Sequence, residues 1–454
     1  MNIAPYPTYQ PSGVEWLGNI PKDWSVKRLK WSVDGCFNGV WGDEPDGIDD
    51  VVCLRVADFN RDNYTISTEA LTLRAIEAKQ LESRKLKRGD LLIEKSGGGE
   101  KQLVGCVVYF DHEFDAVCSN FVARMPVAEG HLPRYWAYVH AGLYAGKLNY
   151  PAIKQTTGIQ NLDAALYLDT LAAYPPLAEQ QQIAAFLDWK TSQIDALIAK
   201  KQALLQKLKE KRLAIITQAV TKGLNPDAPM RDSGIAWLGK VPAHWGVKRL
   251  KFVAHVGNGS TPNREDSAYW DGGTYPWLNS SVVNQEQVTN ADQFVTPLAL
   301  SECHLPRISP PAVLVGITGQ GKTRGMATTL LFEATINQHL AYVKPDEAKA
   351  SVGFLRRVFD MAYAHLRIES ENGGSTKGAI TCEQIAELPI PVPPLDEQVV
   401  ISERIDMALA KLARMSDNAK SAITRLTEYR SALITAATTG KIDVRSWQAP
   451  QETV

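Results

Sequence analysis

The sequence predicts an α+β fold in which two mixed α/β domains are separated by an antiparallel coiled coil of two long helices, related by a pseudo-two-fold axis. Two internal repeats and one periodicity lead to this prediction. Residues 174–221 match residues 392–439 without a gap at a shift of 218 positions. Residues 12–30 match residues 233–251 at a shift of 221, with 12 of 19 positions identical. We give repeats precedence over local patterns, because a missed duplication misassigns the whole fold.

Both copies of the longer repeat predict a coiled-coil helix. Each begins after Pro-Pro-Leu, which cannot continue a helix backwards, and each carries Glu in its first turn. Starting at Ile183 and Leu187, two series of positions seven apart hold seven apolar residues among ten. The same ten positions in the second copy, starting at Ile401 and Ile405, are all apolar. A period of 3.5 residues held over five heptads indicates a coiled-coil seam, and two ordinary amphipathic helices in one globule are the alternative.

The repeats also predict the order of segments along the chain. In order, these are an N-terminal repeated opening segment (1–30), a first variable domain (31–174), a first spacer helix (175–221), a linker with the second opening segment (222–251), a second variable domain (252–392), a second spacer helix (393–439) and a C-terminal tail (440–454). The tail resembles the start of the linker, so a second linker is divided between the two chain ends. The simplest closed arrangement pairs the helices antiparallel and brings the termini together.

Each opening segment carries two tryptophans at the same spacing, beside glycine and proline. They are Trp16 and Trp24 in the first copy, and Trp237 and Trp245 in the second. We expect these indoles to anchor irregular segments onto the rest of the molecule. Stacking against nucleobases is the alternative.

Each variable domain has the pattern of a mixed α/β domain. Short β-rich runs are bounded by Gly, Pro, Asn and Asp, and a helical segment and a polar loop follow them. The β-rich runs are residues 51–56, 91–93, 104–110, 313–315 and 328–332. Helical segments are predicted near residues 133–148 and 352–368, and glycine-containing polar loops at residues 154–158 and 373–378.

Composition excludes several classes of protein. A formal net charge of -1 argues against a polybasic nucleic-acid coat, although not against a local basic face. The six cysteines show no CxxC spacing, and no His pair has metal-ligand spacing, which suits reduced thiols rather than disulfides or a zinc site. No signal-peptide pattern opens the chain, and no stretch approaches 18 apolar residues. We therefore expect a soluble, cytoplasmic protein that does not bind a membrane.

Residues 316–323 match the P-loop pattern G-x-x-x-x-G-K-[ST] and follow an apolar run. A phosphate-binding P-loop needs a helix next, whereas residues 324–329 hold glycine and β-branched residues. The corresponding stretch of the first half, residues 96–101, has Glu100 at the place of Lys322. A P-loop NTPase is therefore an alternative hypothesis, and the preferred interpretation is a glycine-rich β-hairpin loop. No nuclease, methyltransferase, Ser/His/Asp or Cys/His arrangement is found, so we predict no catalytic residue.

Basic and amide residues on loops are the candidates for contact with DNA. Phosphates attract cations, and base edges are recognised by forked or amide side chains. The candidates are Lys95, Lys101, Lys154 and Gln155 in the first domain and Lys322, Arg324, Arg367 and Lys377 in the second. A merely solvated surface is the alternative for each of them.

Three repeated motifs carry a resemblance to a known family. They are the paired Ser-Gly-x-x-Trp-Leu-Gly blocks with Pro-x-x-Trp, the paired Pro-Pro-Leu-x-Glu-Gln helix starts, and Ala-Val-Thr-Lys-Gly-Leu at residues 219–224. With them, nearly the whole chain resembles the specificity subunit of a type I restriction–modification enzyme. Residues 261–277, which include Tyr269-Trp270-Asp271-Gly272-Gly273, are similar to the opening of many target-recognition domains. The first variable domain lacks that form.

The resemblance implies a function in DNA recognition. Each variable domain would recognise one half of a split double-stranded DNA target, and the coiled coil would set the spacing. Two modification subunits that methylate adenine would dock on it, and restriction subunits with translocase and nuclease activity would join them. S-adenosylmethionine, ATP and Mg are expected on those partners, with no cofactor, metal or catalysis in this chain. A coiled-coil assembly protein without DNA binding is the remaining alternative.

Overall fold

A computed structural model describes residues 4–48, 50–99, 102–156, 158–319, 321–372 and 378–450. The chain divides into two compact units, Met1–Ala203 with Ala419–Val454, and Leu204–Asn418. Each unit therefore contains one variable region and parts of both long helices.

The predicted long helices are present at Leu177–Lys222 and Leu395–Thr438. In the first unit, Ile183 and Ile194 share a hydrophobic core with Leu433 and Ile434. The early part of the first helix thus packs with the late part of the second. In the second unit the complementary parts meet, since Leu208 and Ile216 share a core with residues 401–412 of the other helix. The predicted antiparallel pairing is therefore confirmed.

An ion pair supports the helix contact of the first unit. The Arg430 guanidinium Nε lies 2.9 Å from Asp195 Oδ1, and its Nη2 also donates to the carbonyl of Asn63 in the variable domain. Because Arg430 is buried, removing Asp195 would leave the arginine charge uncompensated in the interior.

The predicted heptad seam is wrong at several positions. Leu197, Met415 and Tyr429 belong to one of the two predicted series, yet all three are exposed. The other series of the second helix is buried or half-buried throughout, from Ile405 to Leu433. A contact between only two helices buries one narrow stripe, and a helix with 3.6 residues per turn drifts away from a strict seven-residue repeat.

The predicted strands and helices of the variable domains are confirmed in type and place. The strands of the first unit are Tyr9–Pro11, Asn19–Pro21, Ser25–Arg28, Phe37–Asn38, Asp50–Leu54, Phe59–Asn60, Thr65–Ile66, Thr72–Ala75, Leu91–Glu94, Ser96–Gly97, Val107–Tyr109, Ala116–Cys118, Val122–Met125, Ile153–Thr156, Ile159–Leu162 and Leu171–Tyr174. Those of the second are Met230–Asp232, Lys240–Pro242, Gly246–Arg249, Ala254–Asn258, Tyr275–Leu278, Gln287–Val288, Gln293–Val295, Ala312–Gly316, Ala327–Leu330, Thr335–Ile336, Leu340–Pro345 and Pro389–Val392. The shorter α-helices are Ala78–Arg84, Pro133–Ala145, Ala164–Leu168, Pro297–Glu302, Val352–Asn372 and Cys382–Glu387.

Each unit contains one main antiparallel sheet, and the two sheets have the same strand order. In the first unit the order is Val107–Tyr109, Leu91–Glu94, Val122–Met125 and Phe37–Asn38. In the second unit it is Ala327–Leu330, Ala312–Gly316, Leu340–Pro345 and Ala254–Asn258, with Gln287–Val288 added at the edge. Although the variable sequences differ, the structure therefore repeats the same domain.

A second, three-stranded sheet is also repeated. Its central strand is Asp50–Leu54 in the first unit and Tyr275–Leu278 in the second. Each central strand pairs parallel with one neighbour and antiparallel with the other. Helices Pro133–Ala145 and Val352–Asn372 contribute buried aromatic and aliphatic residues to the cores that also contain the long helices.

A buried glutamine attaches each domain to its long helix. The Oε1 atom of Gln180 accepts a hydrogen bond from the backbone N–H of Leu132 at 3.0 Å, and its Nε2 donates to the carbonyl of Pro175 at 3.0 Å. Gln398 repeats both bonds at 2.9 Å, with Ser351 N–H and the Pro393 carbonyl. The two glutamines are 2% and 1% exposed, so water cannot replace these partners.

The opening segments are anchored by tryptophan, as predicted. Trp24 and Trp245 are both buried, and Trp245 Nε1 donates to Glu397 Oε2 at 3.0 Å at the start of the second long helix. Trp237 stacks on His365 with ring centroids 4.7 Å apart. Burial of Trp24 and Trp245 contradicts the alternative in which these two indoles stack on nucleobases.

The C-terminal tail packs on the N-terminal segment, in agreement with a linker divided between the chain ends. Lys441 Nζ donates to the carbonyls of Leu17 and Asn19 at 2.8 and 2.7 Å. The backbone N–H of Asp443 donates to the carbonyl of Ala4 at 2.9 Å. The two ends of the described chain therefore lie close together within the first unit.

One predicted loop is wrong. Residues 154–156 lie on the first strand of a hairpin of Ile153–Thr156 with Ile159–Leu162, and Gly158 precedes the second strand at a φ of 87°. Apolar residues occur only at the outer ends and the start of these strands, at Ile153, Ile159 and Leu162. The polar residues between Ile153 and Ile159 therefore led to the loop prediction. In the corresponding loop at 373–378, residues 373–377 lie outside the described residues. Within the described ranges, no helix is long and apolar enough to cross a membrane.

The glutamine attachment gives the first prediction. Gln180→Ala removes both side-chain bonds and leaves the N–H of the half-buried Leu132 without its partner, so we expect a loss of about 1–3 kcal/mol in unfolding free energy. Chemical denaturation of the purified chain measures it. Gln181→Ala is the matched control, because Gln181 is exposed on the same helical turn. Equal stability of the two variants would contradict the assigned role.

Candidate nucleic-acid interface

Three loops meet at one end of each main sheet. The register pairs Asn38 with Ala123 and Glu94 with Val122, so the segments that follow Asn38, follow Glu94 and precede Val122 converge. We call residues 39–43, 95–99, 102–106 and 119–121 loop face 1. In the second unit the register pairs Asn258 with Ala341 and Gly316 with Leu340. We call residues 259–264, 317–319, 321–326 and 337–339 loop face 2.

The two loop faces share the same backbone anchors. On loop face 1, Lys95 N–H donates to the carbonyl of Phe121 at 2.8 Å, and the Lys95 carbonyl accepts from Leu162 N–H at 2.8 Å. On loop face 2, Ile317 N–H donates to the carbonyl of His339 at 3.0 Å, and the Ile317 carbonyl accepts from Ile380 N–H at 2.9 Å. The main chain is therefore equivalent, while the side chains differ.

A glycine follows the edge strand on both faces because no side chain fits there. A Cβ added to Gly39 would lie 2.0 Å from the carbonyl oxygen of Cys118, and one added to Gly259 would lie 1.8 Å from that of Ile336. Both distances are far below van der Waals contact, so the close chain approach at this end of the sheet requires glycine in each unit.

An exposed amide and an exposed ring project from the tip of each face. On loop face 1 they belong to Asn120 and Phe121, and on loop face 2 to Gln338 and His339. His339 Nδ1 lies 2.9 Å from Thr318 Oγ1, which ties two loops of loop face 2 together. Sequence analysis missed all four residues, because no local pattern marks a two-residue tip whose position is set by strand pairing.

The predicted residues of the first domain lie on or beside loop face 1. Lys95 is half-buried, and its Nζ donates to Asn38 Oδ1 at 2.6 Å. Lys154 and Gln155 are exposed on the hairpin that continues from loop face 1 through Ser96–Gly97. Lys154 Nζ lies 2.9 Å from Asp163 Oδ2, and this hydrogen bond holds the pKa of Asp163 below its usual range. Lys101 lies outside the described residues.

The predicted residues of the second domain have different environments. Lys322 is exposed on the loop between the antiparallel strands Ala312–Gly316 and Ala327–Leu330, so the predicted β-hairpin is confirmed. A strand follows this loop where a P-loop needs a helix, which contradicts the NTPase alternative. Lys377 lies outside the described residues.

Two arginines predicted to contact DNA have protein partners at this hairpin loop. Arg324 is 3% exposed, and its guanidinium donates to the Gly378 carbonyl at 2.8 Å and to Glu371 Oε1 at 2.6 Å. Arg367 Nη1 donates to the Gly321 carbonyl at 2.7 Å. The geometry favours a structural role for Arg324 over the predicted phosphate contact, because its guanidinium is buried and already bonded to Gly378 and Glu371.

An exposed arginine that sequence analysis did not select lies on loop face 2. The Arg264 guanidinium lies 4.0 Å from the ring centroid of Trp270 and 4.5 Å from that of Trp277. Its Nη2 donates to Gln293 Oε1 at 3.0 Å. The aromatic rings hold the planar guanidinium of Arg264 in one orientation, and a guanidinium held in this way can bind a phosphate or the edge of a guanine. Both tryptophans belong to the motif at residues 261–277, which was the available signal.

Beneath loop face 1 lies a buried ion pair. Glu94 Oε2 is 2.9 Å from Arg61 Nη2, at the end of the strand Leu91–Glu94. Burial raises the pKa of Glu94, and the arginine charge opposes that shift. This pair supports the loops from below. Within the described ranges, no group of three or more His, Cys, Asp or Glu residues could hold a metal ion.

Comparison with known proteins gives a consistent set of relatives. Residues 242–424 match the family model described as "Type I restriction modification DNA specificity domain". The MjaX protein of Methanocaldococcus jannaschii, assigned as a type I restriction enzyme specificity subunit, is 22% identical over 95% of this chain and 96% of its own length. The EcoKI specificity subunit of Escherichia coli K12 is 22% identical over 81% of this chain and 78% of its own.

Solved structures share the fold. A chain of a type I restriction–modification system, from a study of its assembly and conformational transition, matches with a TM-score of 0.71 and 16% identity over 93% of this chain and 99% of that chain. The HsdS subunit from Thermoanaerobacter tengcongensis matches with a TM-score of 0.51 and 16% identity over 93% and 98%. Residues 242–424 thus match a type I restriction modification DNA specificity domain, and the chain as a whole is similar in sequence to type I restriction enzyme specificity subunits and shares their fold.

Proposed function

We propose that each variable domain of this specificity subunit recognises one half of a bipartite double-stranded DNA target, and that the long helices set the spacing. One observation carries the proposal: the two loop faces have equivalent backbones but different exposed side chains. Asn120 and Phe121 stand where the other face has Gln338 and His339. A repeated scaffold with different tips suits a target whose halves have the same geometry and different bases.

The exposed side chains have the chemistry that DNA recognition needs. Amides such as those of Asn120 and Gln338 can exchange two hydrogen bonds with an adenine edge. Lys154 is an exposed cation on the hairpin next to loop face 1, and Lys322 is one on loop face 2. Cations position a protein on phosphates without reading sequence. Because the whole chain has a net charge of -1, we expect its affinity for DNA to depend on the assembled complex.

Two modification subunits are the proposed partners, and a duplicated surface supports their number. Trp31 and Phe252 follow the identical Lys-Arg-Leu-Lys of the two opening segments and are 63% and 58% exposed. We call these two rings, with their flanking lysines and arginines, the aromatic–basic patches. A carboxylate accompanies each patch: Lys30 Nζ lies 2.9 Å from Asp169, and Arg249 Nη1 lies 2.7 Å from Glu387.

The aromatic–basic patches lie away from the loop faces. In the first unit, Ser32 and Val33 pair with residues 127 and 128, beyond the end of Val122–Met125 that is opposite to loop face 1. In the second unit, the Val253 carbonyl likewise accepts from Asp346 N–H at 2.9 Å, beyond Leu340–Pro345. A protein bound there would leave the loop face of that unit free for DNA. Exposed aromatic rings beside cations are typical anchors of protein interfaces.

The chemistry of the complex is assigned to its partners. Adenine methylation with S-adenosylmethionine belongs to the modification subunits in this proposal, and ATP- and Mg-dependent translocation and cleavage belong to restriction subunits. This chain contributes recognition without catalysis, in the cytoplasm. A coiled-coil assembly role without DNA binding would be favoured instead if the assembled complex bound no specific duplex.

Exchange of one variable domain tests whether each domain recognises one half-site. Replacing residues 31–174 with the corresponding domain of another specificity subunit should change one half of the methylated motif and leave the other half unchanged, because each loop face acts separately. Sequencing of methylated DNA from cells that carry the complex measures both halves. The reciprocal exchange of residues 252–392 should change the other half. A change in both halves, or in neither, would contradict the assignment.

Truncation of the exposed rings tests the docking surface. Trp31→Ala with Phe252→Ala should weaken assembly with the modification subunits by about tenfold or more, since loss of an aromatic anchor costs about 2 kcal/mol. Titration of the purified subunits measures it. Ile48→Ala with Leu331→Ala is the control pair, because both side chains are exposed and lie outside the patches. Unchanged assembly of the Trp31 and Phe252 variant would rule this surface out.

A further inference from the structure

Loop face 1 contains an apolar cleft. It has a volume of about 530 Å³ and is lined by Trp41, Val56, Phe121 and Ile159, with Asn120 at its rim. Phe121 and Ile159 are 54% and 56% exposed. Single exposed apolar side chains are common on protein surfaces, but several that converge in one cleft indicate a binding surface.

The wall of the cleft is held in place. The Arg74 guanidinium lies 4.2 Å from the ring centroid of Trp41, and Arg74 is paired with Glu44. Phe121 is fixed by the backbone bond from Lys95 to its carbonyl. These contacts give the cleft a defined shape before any ligand arrives, and preformed surfaces lose less entropy on binding.

The polar rim complements the apolar wall. Asn120 offers an amide with both donor and acceptor atoms, and it directly precedes Phe121 at the tip. Arg55 also lines the cleft, but its Nη2 lies 3.1 Å from Asp58 Oδ1, so its charge already has a partner. The cleft therefore presents an apolar wall and an amide next to it, without an unpaired arginine.

One base pair matches that combination. In the major groove, the C5-methyl of thymine is the apolar group on a base edge, and its partner adenine presents an acceptor and a donor that an Asn amide can pair with. A G·C pair offers polar groups alone at this edge. We infer that loop face 1 recognises an A·T pair, with Phe121 and Ile159 contacting the thymine methyl and Asn120 the adenine edge. This inference rests on the proposed function and names bases for the first half-site.

The second half-site is not covered by the inference. On loop face 2, His339 occupies the position of Phe121, and the Arg264 guanidinium packs against the rings of Trp270 and Trp277 nearby. A polar ring and an arginine fork favour polar groups on bases or phosphates over a methyl group. The two faces therefore predict different base chemistry in the two halves of one target.

Replacement of thymine by uracil tests the inference with the smallest possible change, because it removes one methyl group. Once the methylated motif is known, each thymine of the first half-site is replaced in turn, and the affinity of the assembled complex for each duplex is measured. We expect one position at which uracil weakens binding about fourfold, the effect of one buried methyl group. The Phe121→Ala complex should bind the thymine and uracil duplexes equally.

Phe294→Ala is the matched control, because Phe294 is an exposed phenylalanine outside both loop faces, and its complex should retain the fourfold difference. A first half-site that is insensitive to uracil at every position would overturn the inference while specific binding upheld the proposed function. Loss of subunit assembly in Phe121→Ala, with thymine discrimination intact, would show that a protein occupies the cleft. Absence of specific duplex binding by the wild-type complex would overturn both proposals.

Discussion

The arrangement of each unit depends on one buried glutamine. Gln180 and Gln398 accept a hydrogen bond from the first turn of a domain helix and donate one to a proline carbonyl at the start of a long helix. A buried N–H without a partner costs more than the bond itself contributes, so a domain that shifted on its helix would lose stability. The same bonds in both units give each domain a fixed attachment.

That attachment explains how variable sequences can serve one scaffold. The antiparallel sheet brings three loops to one end, and required glycines and backbone bonds fix their paths. Side chains at the tips are then free to differ, as Phe121 and His339 do. The two units therefore differ in the side chains at the tips, while equivalent backbone bonds keep the loops of each face in place.

The sequence predicted features that depend on periodicity or repetition. The long helices, the tryptophan anchors and the hairpin at 316–327 follow from heptads, duplicated motifs and a glycine-rich turn between β runs. It could not predict features that depend on partners distant in the chain. Arg324 looked like a free cation because Glu371 is 47 positions away, and Phe121 and Ile159 meet only through strand pairing. The exposure of Met415 depends on which face of its helix the partner helix covers. The apolar pattern of one helix does not specify that face.

In the proposed function, the length of the long helices sets the distance between two separately recognised half-sites. The direct measurement is the sequencing of methylated sites in cells that carry the complex, with this chain or with a chain lengthened by seven residues in each long helix, after residues 203 and 418. One added heptad preserves the seam and adds about 10 Å, or about three base pairs of B-DNA. We predict that both half-sites keep their bases and that the gap between them grows by about three base pairs. An unchanged gap in the methylated motif would contradict the spacing role of the long helices.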